Sequence, residues 1–346
     1  MDLAIAGMLT VDGLTNGAIY ALLGLATVMV FAVTRVIFIP QGEFVAFGAL
    51  TLAMLQSQFI PGTVWLLLLL AILAALLETA QGWREAWPGM QLVRSVASLL
   101  AFPLLACLLA IWLAPKDLPL WADAVLSLAL VTPMGPLLYR LAYQSLESST
   151  PLVLLIVSVG VHFALTGLAL VFFGPEGYRN PSFWADVFNL GPVPVSGQAL
   201  IIFFTTLVLI VGLWFFFDRT LYGKALRATA INRTGARLMG ISSHTAGQLT
   251  FTLAAFIGAL SGLLIGPTTT VLFDSGFIIG LKGFVAAVIA GLSSYPGALV
   301  VALGVGLVES FSSFWASAFK EVLVFALILP ALWLRSGRTG EDDEDH

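Results

Sequence analysis

Charge is what this sequence has least of. Charged residues fill 10% of its 346 positions and hydrophobic residues 59%, whereas soluble domains are about 25% charged. That balance excludes a water-soluble globule, because no fold of this size could hide so much apolar surface. The solvent must be lipid. Cysteine is nearly absent. Cys107 stands alone in an apolar run, which excludes a disulfide framework and a cysteine-built metal site. Three histidines, far apart, make a metal cluster improbable. The mild net charge of −4 argues against a nucleic-acid partner. The apolar runs hold no paired carboxylates, no histidine cluster and no nucleophile with a base beside it. No catalytic residue, metal ligand or cofactor is therefore nominated, and an integral membrane enzyme is the weakest of the functional classes.

What is present is a succession of long uncharged runs. A helix needs about 20 apolar residues to cross about 30 Å of hydrocarbon. The runs are continuous rather than alternating, so they read as helices. They are residues 13–34, 44–77 (split by Pro61-Gly62), 95–115, 118–139, 148–175, 187–217 and 245–273, followed by three helices near 278–292, 296–313 and 318–335. This gives eleven candidate spans and an expected fold of about 9–11 transmembrane helices, an all-α polytopic bundle. Asp2 and Asp12 flank the first short apolar stretch without a basic region before it, unlike a cleaved signal peptide. Gly13/Gly17, Gly258/Gly262 and Gly262/Gly266 have the spacing that lets helix backbones approach in lipid.

Lys and Arg set the expected orientation. With residues 218–244 inside the cell, eleven basic residues fall inside and three outside (Lys116, Arg179 and Lys320), and Lys282 lies within a span; together they account for all 15. The N-terminus is then outside and the C-terminus cytoplasmic. Residues 1–335 read as one transmembrane domain and 336–346 as an acidic cytoplasmic tail.

Asp218–His244 is the one long polar segment on the inner side. A short amphipathic helix fits Asn232–Met239, with Arg233 and Arg237 one turn apart and Gly240 suited to its C-cap. So short a helix needs a surface to lie on. Gly223-Lys224-Ala225-Leu226-Arg227-Ala228 with Leu238-Met239-Gly240-Ile241 resembles the cytoplasmic coupling loop of the branched-chain amino-acid ABC transporter permeases, the LivH/LivM type. Other segments agree: Gly13-Leu14-Thr15-Asn16-Gly17-Ala18-Ile19-Tyr20-Ala21-Leu22, Gln41-Gly42-Glu43-Phe44 with Gly48-Ala49, Gly280-Leu281-Lys282-Gly283-Phe284, Pro296-Gly297-Ala298 and Gly306-Leu307-Val308-Glu309-Ser310. The resemblance covers roughly residues 10–58 and 137–335. Between about 60 and 130 the sequence departs from the pattern, as if two crossings were inserted.

The resemblance implies a permease subunit in the bacterial inner membrane, with separate ABC ATPase subunits inside, a periplasmic or extracellular binding protein outside, and a second permease, either LivM-like or another copy of this chain. Gly223-Lys224-Ala225 is not a phosphate loop, so ATP hydrolysis belongs to those partners. Coupling would fall to Lys224, Arg227, Ile231, Arg233, Arg237, Leu238, Met239 and Gly240, with the two last-named arginines meeting acidic groups of the ATPase. The transported solute would be a branched-chain amino acid or a related small polar molecule.

Polar groups within the spans are costly and therefore informative. Asn16, Gln41, Glu43, His162, Thr268, Lys282 and Glu309 are candidates for a translocation path. For Asn16, His162 and Thr268 an interhelical hydrogen bond is the plainer explanation, and for Lys282 and Glu309 the alternative is separate snorkelling to the outer surface. Glu43 could instead sit in an inner turn beside Arg35, and His162 could simply be a satisfied core residue. Lys282 and Glu309 lie at matching distances from the Ser293–Pro296 turn and are expected to approach one another. Glu176, Arg179 and Asp186, in the outer loop 174–196, are candidates for docking a binding protein. The alternative to an ABC permease is a stand-alone secondary transporter, for which Glu43 and Glu309 would have to carry the coupling ion.

Overall fold

The computed structural model describes residues 3–292 and 294–339. The helices are α1 (Leu3–Thr34), α2 (Gln41–Gln56), α3 (Gly62–Arg84), α4 (Gly89–Leu113), α5 (Leu120–Val131), α6 (Met134–Leu138), α7 (Pro151–Phe173), α8 (Gly197–Arg219), α9 (Leu221–Ile231), α10 (Arg233–Leu238), α11 (Ser243–Ile265), α12 (Ser275–Ile289), α13 (Tyr295–Trp315), α14 (Lys320–Ala326) and α15 (Ile328–Thr339). A π-helical turn, Tyr139–Tyr143, extends α6. Two antiparallel strands, β1 (Val187–Leu190) and β2 (Val193–Ser196), pair Val187 with Ser196.

Among the described residues, eight helical segments are long and apolar enough to cross a membrane: α1, α3, α4, the continuous stretch Leu120–Leu146, α7, α8, α11 and α13. The three remaining runs of the eleven are shorter. They form α2, α12 and the α14–α15 pair. The fold is thus a polytopic all-α bundle, and eight of the eleven expected spans are full-length. Two boundaries need correction. Residues 187–196 form a hairpin rather than the start of a span, because Gly191 takes φ +63° and turns the chain back. Helix α15 runs through Thr339, so residues 336–339 of the expected tail are helical; residues 340–346 lie outside the described residues.

Helix α1 is the axis of the bundle. It lies against α13, α11, α12 and α8. Glycine makes the closest of these contacts possible: a β-carbon on Gly17 would meet the Leu303 backbone of α13, and one on Gly262 of α11 would strike the Val45 carbonyl of α2. With no hydrophobic drive between helices in lipid, such close backbone approach is what holds them together. Helices α4 and α8 are peripheral and present mostly apolar faces outward, including Leu105, Leu108 and Trp112 of α4 and Phe204, Leu207 and Trp214 of α8.

Two helices begin inside the bundle. Helix α1 ends at Thr34, and Arg35 takes φ +60°, turning the chain. Residues 35–40 then run without helix until α2 begins behind Pro40, as the ring's fixed φ and missing N–H predict. Gln41 Nε2 donates to the Ala254 carbonyl at 2.9 Å. Ala254 lies eleven residues into α11, about 16 Å along its axis, so α2 starts at depth. Non-helical backbone is tolerated there only where protein covers it; Phe38 is buried among the rings of Phe44, Tyr143 and Phe251. Fourteen of the sixteen residues of α2 are buried, so this helix has no lipid-facing side. Helix α12 begins at the same depth, since Gly276 and Gly280 lie against Gly42.

The bundle has two distinct ends. At one, Arg237 Nη2 meets Glu147 at 2.6 Å, Arg140 pairs with Glu78, and Arg35 and Arg227 share a cavity wall; this is the basic end. At the other, the β-hairpin packs by Val193 against Gly7, and Tyr178 pairs with Val271; this is the hairpin end.

Candidate functional site

A polar cavity of about 570 Å3 enters the bundle among α1, α12, α13 and α14 and the stretch after α11. Asp12, Asn16 and Tyr20 line it from α1, Thr268, Thr269 and Thr270 from the stretch after α11, and Lys282 from α12. Glu309 completes the wall from α13, with Lys320 and Glu321 from α14. Leu9, Ile265, Ile278 and Ile279 supply an apolar side.

Lys282 is the centre of its charge network. Its ammonium donates to Glu309 Oε1 at 2.5 Å and to Glu321 Oε1 at 3.2 Å. The Tyr20 hydroxyl donates to Glu309 Oε2 at 2.5 Å. Lys282 and Glu309 therefore do approach, and the physical reason is direct: each buried charge lacks water and needs a counter-charge. Of the path candidates, Asn16, Thr268, Lys282 and Glu309 gather here. Tyr20, Asp12 and Glu321 also belong and were missed. Tyr20 is the one phenol in the first apolar run, a signal that could have marked it; Glu321, at the head of a separate short helix, gave none.

Gln41, Glu43 and His162 gather elsewhere. Glu43 lies in the first turn of α2, where the positive end of the helix dipole favours an anion. His162 Nδ1 lies 2.8 Å from Glu43 Oε1, and its ring stacks on Phe277 at 4.5 Å between centroids. Glu43 is fully buried, so it is not in an exposed inner turn, and it pairs with His162 rather than Arg35. Glu43 Oε2 and Gln41 Oε1 have no hydrogen-bond partner among the described residues. Helix α12 separates the two groups. Ser275, Ile278, Ile279 and Lys282 face the cavity, while Phe277 faces His162.

At the basic end, α9 precedes the expected short helix and was not foreseen. Thr220 caps it by accepting from the Gly223 amide at 3.0 Å. Asn232 then caps α10 by accepting from the Gly235 amide at 2.8 Å. Gly240, at φ +83°, closes α10. Arg233 and Arg237 both reach Glu147, at 3.4 and 2.6 Å, so both already hold a carboxylate of this chain. Ile231, Leu238 and Met239 are more than three-quarters exposed, and Lys224 and Arg227 are exposed beside them.

At the hairpin end, Glu176, Arg179 and Asp186 are all exposed, but they are not equivalent. Arg179 Nε donates to the Pro267 carbonyl at 3.0 Å, and Asp186 accepts from the Trp184 indole at 2.9 Å. Glu176 makes no such contact among the described residues. Among the described residues no three His, Cys, Asp or Glu side chains gather as metal ligands would.

Comparison with known proteins adds to this geometry. The family model described as the branched-chain amino acid transport system permease component matches residues 93–332. That range takes in part of the stretch read as an insertion. The permease protein BraD of Pseudomonas aeruginosa, of a high-affinity branched-chain amino acid transport system, is 28% identical over 250 residues, covering 70% of this chain and 81% of BraD. LivH of Escherichia coli K12, likewise named as a permease of such a system, is 28% identical over 69% of this chain and 80% of its own length. Among solved structures, a chain of PsaBC from Streptococcus pneumoniae in complex with Fab aligns over 93% of this chain and 89% of its own, at 12% identity and a TM-score of 0.37, a likeness too slight to argue from.

Proposed function

Because this chain belongs to the branched-chain amino acid transport system permease family, a multi-pass component of the bacterial inner membrane, we propose that the cavity beside Lys282 is part of its translocation path. The solute is a branched-chain amino acid or a close relative. The observation that carries this reading is a cavity of both signs in an otherwise apolar bundle. A zwitterion brings one ammonium and one carboxylate. Lys282 stands on one wall, Asp12 and Glu321 on others, and Leu9, Ile265, Ile278 and Ile279 offer an apolar surface to an aliphatic side chain. The exchangeable Lys282–Glu309–Glu321 network supports it, since an incoming carboxylate can replace one glutamate.

The basic end faces the cytoplasm, following the inward bias of Lys and Arg. There α9 and α10 take the push of separate ATPase subunits. The exposed Ile231, Leu238 and Met239 provide the contact, and Lys224, Arg227 and Gly240 shape it. Arg233 and Arg237 carry the motion inward through Glu147 to the turn before α7. Rigid movement of α12, the wall common to the cavity and the Glu43–His162 pair, re-aims both together. On the outer side, Glu176 is the freest docking charge of the 174–196 loop, and a second permease covers part of the exposed apolar faces. The peripheral place of α4 supports reading residues 60–130 as inserted crossings.

The test is uptake of radiolabelled leucine by the complex reconstituted in vesicles, with and without ATP and with a protonophore. ATP-dependent uptake that ignores the protonophore is expected. Uptake by this chain alone, driven by a proton or sodium gradient, would establish the secondary-transporter reading instead.

A further inference from the structure

A second cavity, of about 750 Å3, opens at the basic end. It has a different chemistry from the first. Leu25, Val33, Leu213, Trp214, Phe217 and Leu299 represent its walls, which are apolar on every side, and Arg35 and Arg227 stand on its lining. Leu25 lies ten residues in from Arg35, about 15 Å along a helix axis, which is about half of the ~30 Å hydrocarbon thickness. The slot is therefore one leaflet deep.

Its two cations are available. Arg35 pairs with no carboxylate among the described residues, resting only over the Phe31 ring at 5.7 Å. Its backbone, at φ +60°, is in a conformation a non-glycine residue rarely holds, which places this side chain off the end of α1. Among the described residues Arg227 has only the long 3.8 Å contact to Asp218 as a charged partner. Tyr295 and Trp214 also line the slot; their amphipathic rings suit the boundary between headgroup and chain. Aliphatic depth for an acyl chain, with two exposed arginines on its lining, is complementary to a lipid whose headgroup is a phosphodiester bearing net negative charge.

We propose that this slot is a binding site for one anionic phospholipid, its acyl chain between α1, α8 and α13 and its phosphate held by Arg35 and Arg227. The inference rests on the membrane setting and on this cavity, not on what the permease transports. Because Arg227 and Ile231 of α9 form part of the site, the lipid would brace α9 against the bundle.

Trp214 supplies the measurement. The full chain is placed in phosphatidylcholine nanodiscs containing a minor share of phosphatidylglycerol with dibrominated acyl chains, which quench nearby indoles. The same discs with dibrominated phosphatidylcholine are the control, and Trp214→Phe identifies the signal among the nine tryptophans. Quenching by the anionic lipid should be preferred on the order of tenfold, the scale that two basic side chains near anionic headgroups supply. Arg35→Gln with Arg227→Gln should remove the preference. Ala230→Leu, which fills the slot and leaves both arginines, should weaken quenching by either lipid. Equal quenching by both lipids in the unaltered protein overturns the proposal, and that comparison needs no variant to fold. A preference that survives loss of both arginines overturns it too. So does an unquenched Trp214, the result expected if a partner helix fills the slot.

Discussion

Of the buried acid–base pairs among the described residues, Glu43–His162 and Lys282–Glu309 are built differently. Glu43–His162 is sealed: the carboxylate is fully buried, α2 shields it, and Phe277 closes over the ring. Lys282–Glu309 lines an open cavity and shares its lysine with a second acid, Glu321. The sealed pair has no second charged partner among the described residues, only the Thr166 hydroxyl at 3.5 Å from the same His162 nitrogen, and it joins α2 to α7. A pair with a spare partner can exchange one carboxylate for another, as the proposed passage of a solute beside Lys282 would require. Burial alone does not separate these roles; the number of alternative partners does.

The sharpest way to break the contrast is to remove one member of the open network. Lys282→Met leaves Glu309 and Glu321 without their cation, and an uncompensated buried charge costs about 3–5 kcal/mol. Thermal unfolding should fall sharply and leucine uptake should vanish. Adding Glu309→Gln to Lys282→Met removes the orphaned charge and should return most of the stability without returning uptake. If uptake returns as well, the network is structural and the difference between the two pairs disappears.

The sealed pair should answer to shape rather than charge. Glu43→Gln keeps an oxygen toward His162 and is expected to cost about 1 kcal/mol, the scale of one hydrogen bond, with uptake kept. Glu43→Leu leaves the His162 ring nitrogen unpaired and should cost about 1–3 kcal/mol. Uptake lost in Glu43→Gln at unchanged stability would make this pair a proton carrier and favour gradient-driven transport.

How much of this was legible depended on the distance over which the cause acts. The long helices follow from apolar runs, and Pro40 and Pro61 mark their breaks because a proline excludes helix locally. Helix α10 was legible for the same reason: Asn232 and Gly240 are local caps. The approach of Lys282 to Glu309 could be foreseen because one short turn joins their helices. Glu43 and His162 are 119 residues apart, and nothing in either neighbourhood names the other. The depth at which α2 starts was equally hidden, since contacts distant in sequence set it: Gln41 with Ala254, and Gly42 with Gly276 and Gly280. Glu147 escaped as the partner of Arg233 and Arg237 because a surface loop acid looks the same whether it faces water or an arginine.

That last pair gives the smallest effect on stability and the finest test of the comparison, because it is an ion pair outside the apolar core. Arg237 is about half exposed, and exposed pairs contribute about 0.2–1 kcal/mol, so Arg237→Glu should barely move the unfolding temperature. Gly240→Pro added to it removes the φ +83° closure of α10, since the proline ring holds φ near −65°. The double variant should remain in the membrane and lose uptake. Glu147→Arg placed opposite both Arg233→Glu and Arg237→Glu, with Gly240 intact, rebuilds the two pairs with their signs exchanged. Recovered uptake would mean that Arg237 works through the turn before α7, by tying α10 to it. Uptake that stays absent would mean that the guanidinium is read by another subunit, and that a third kind of ion pair, one shared between chains, has to be set beside the sealed and the open ones.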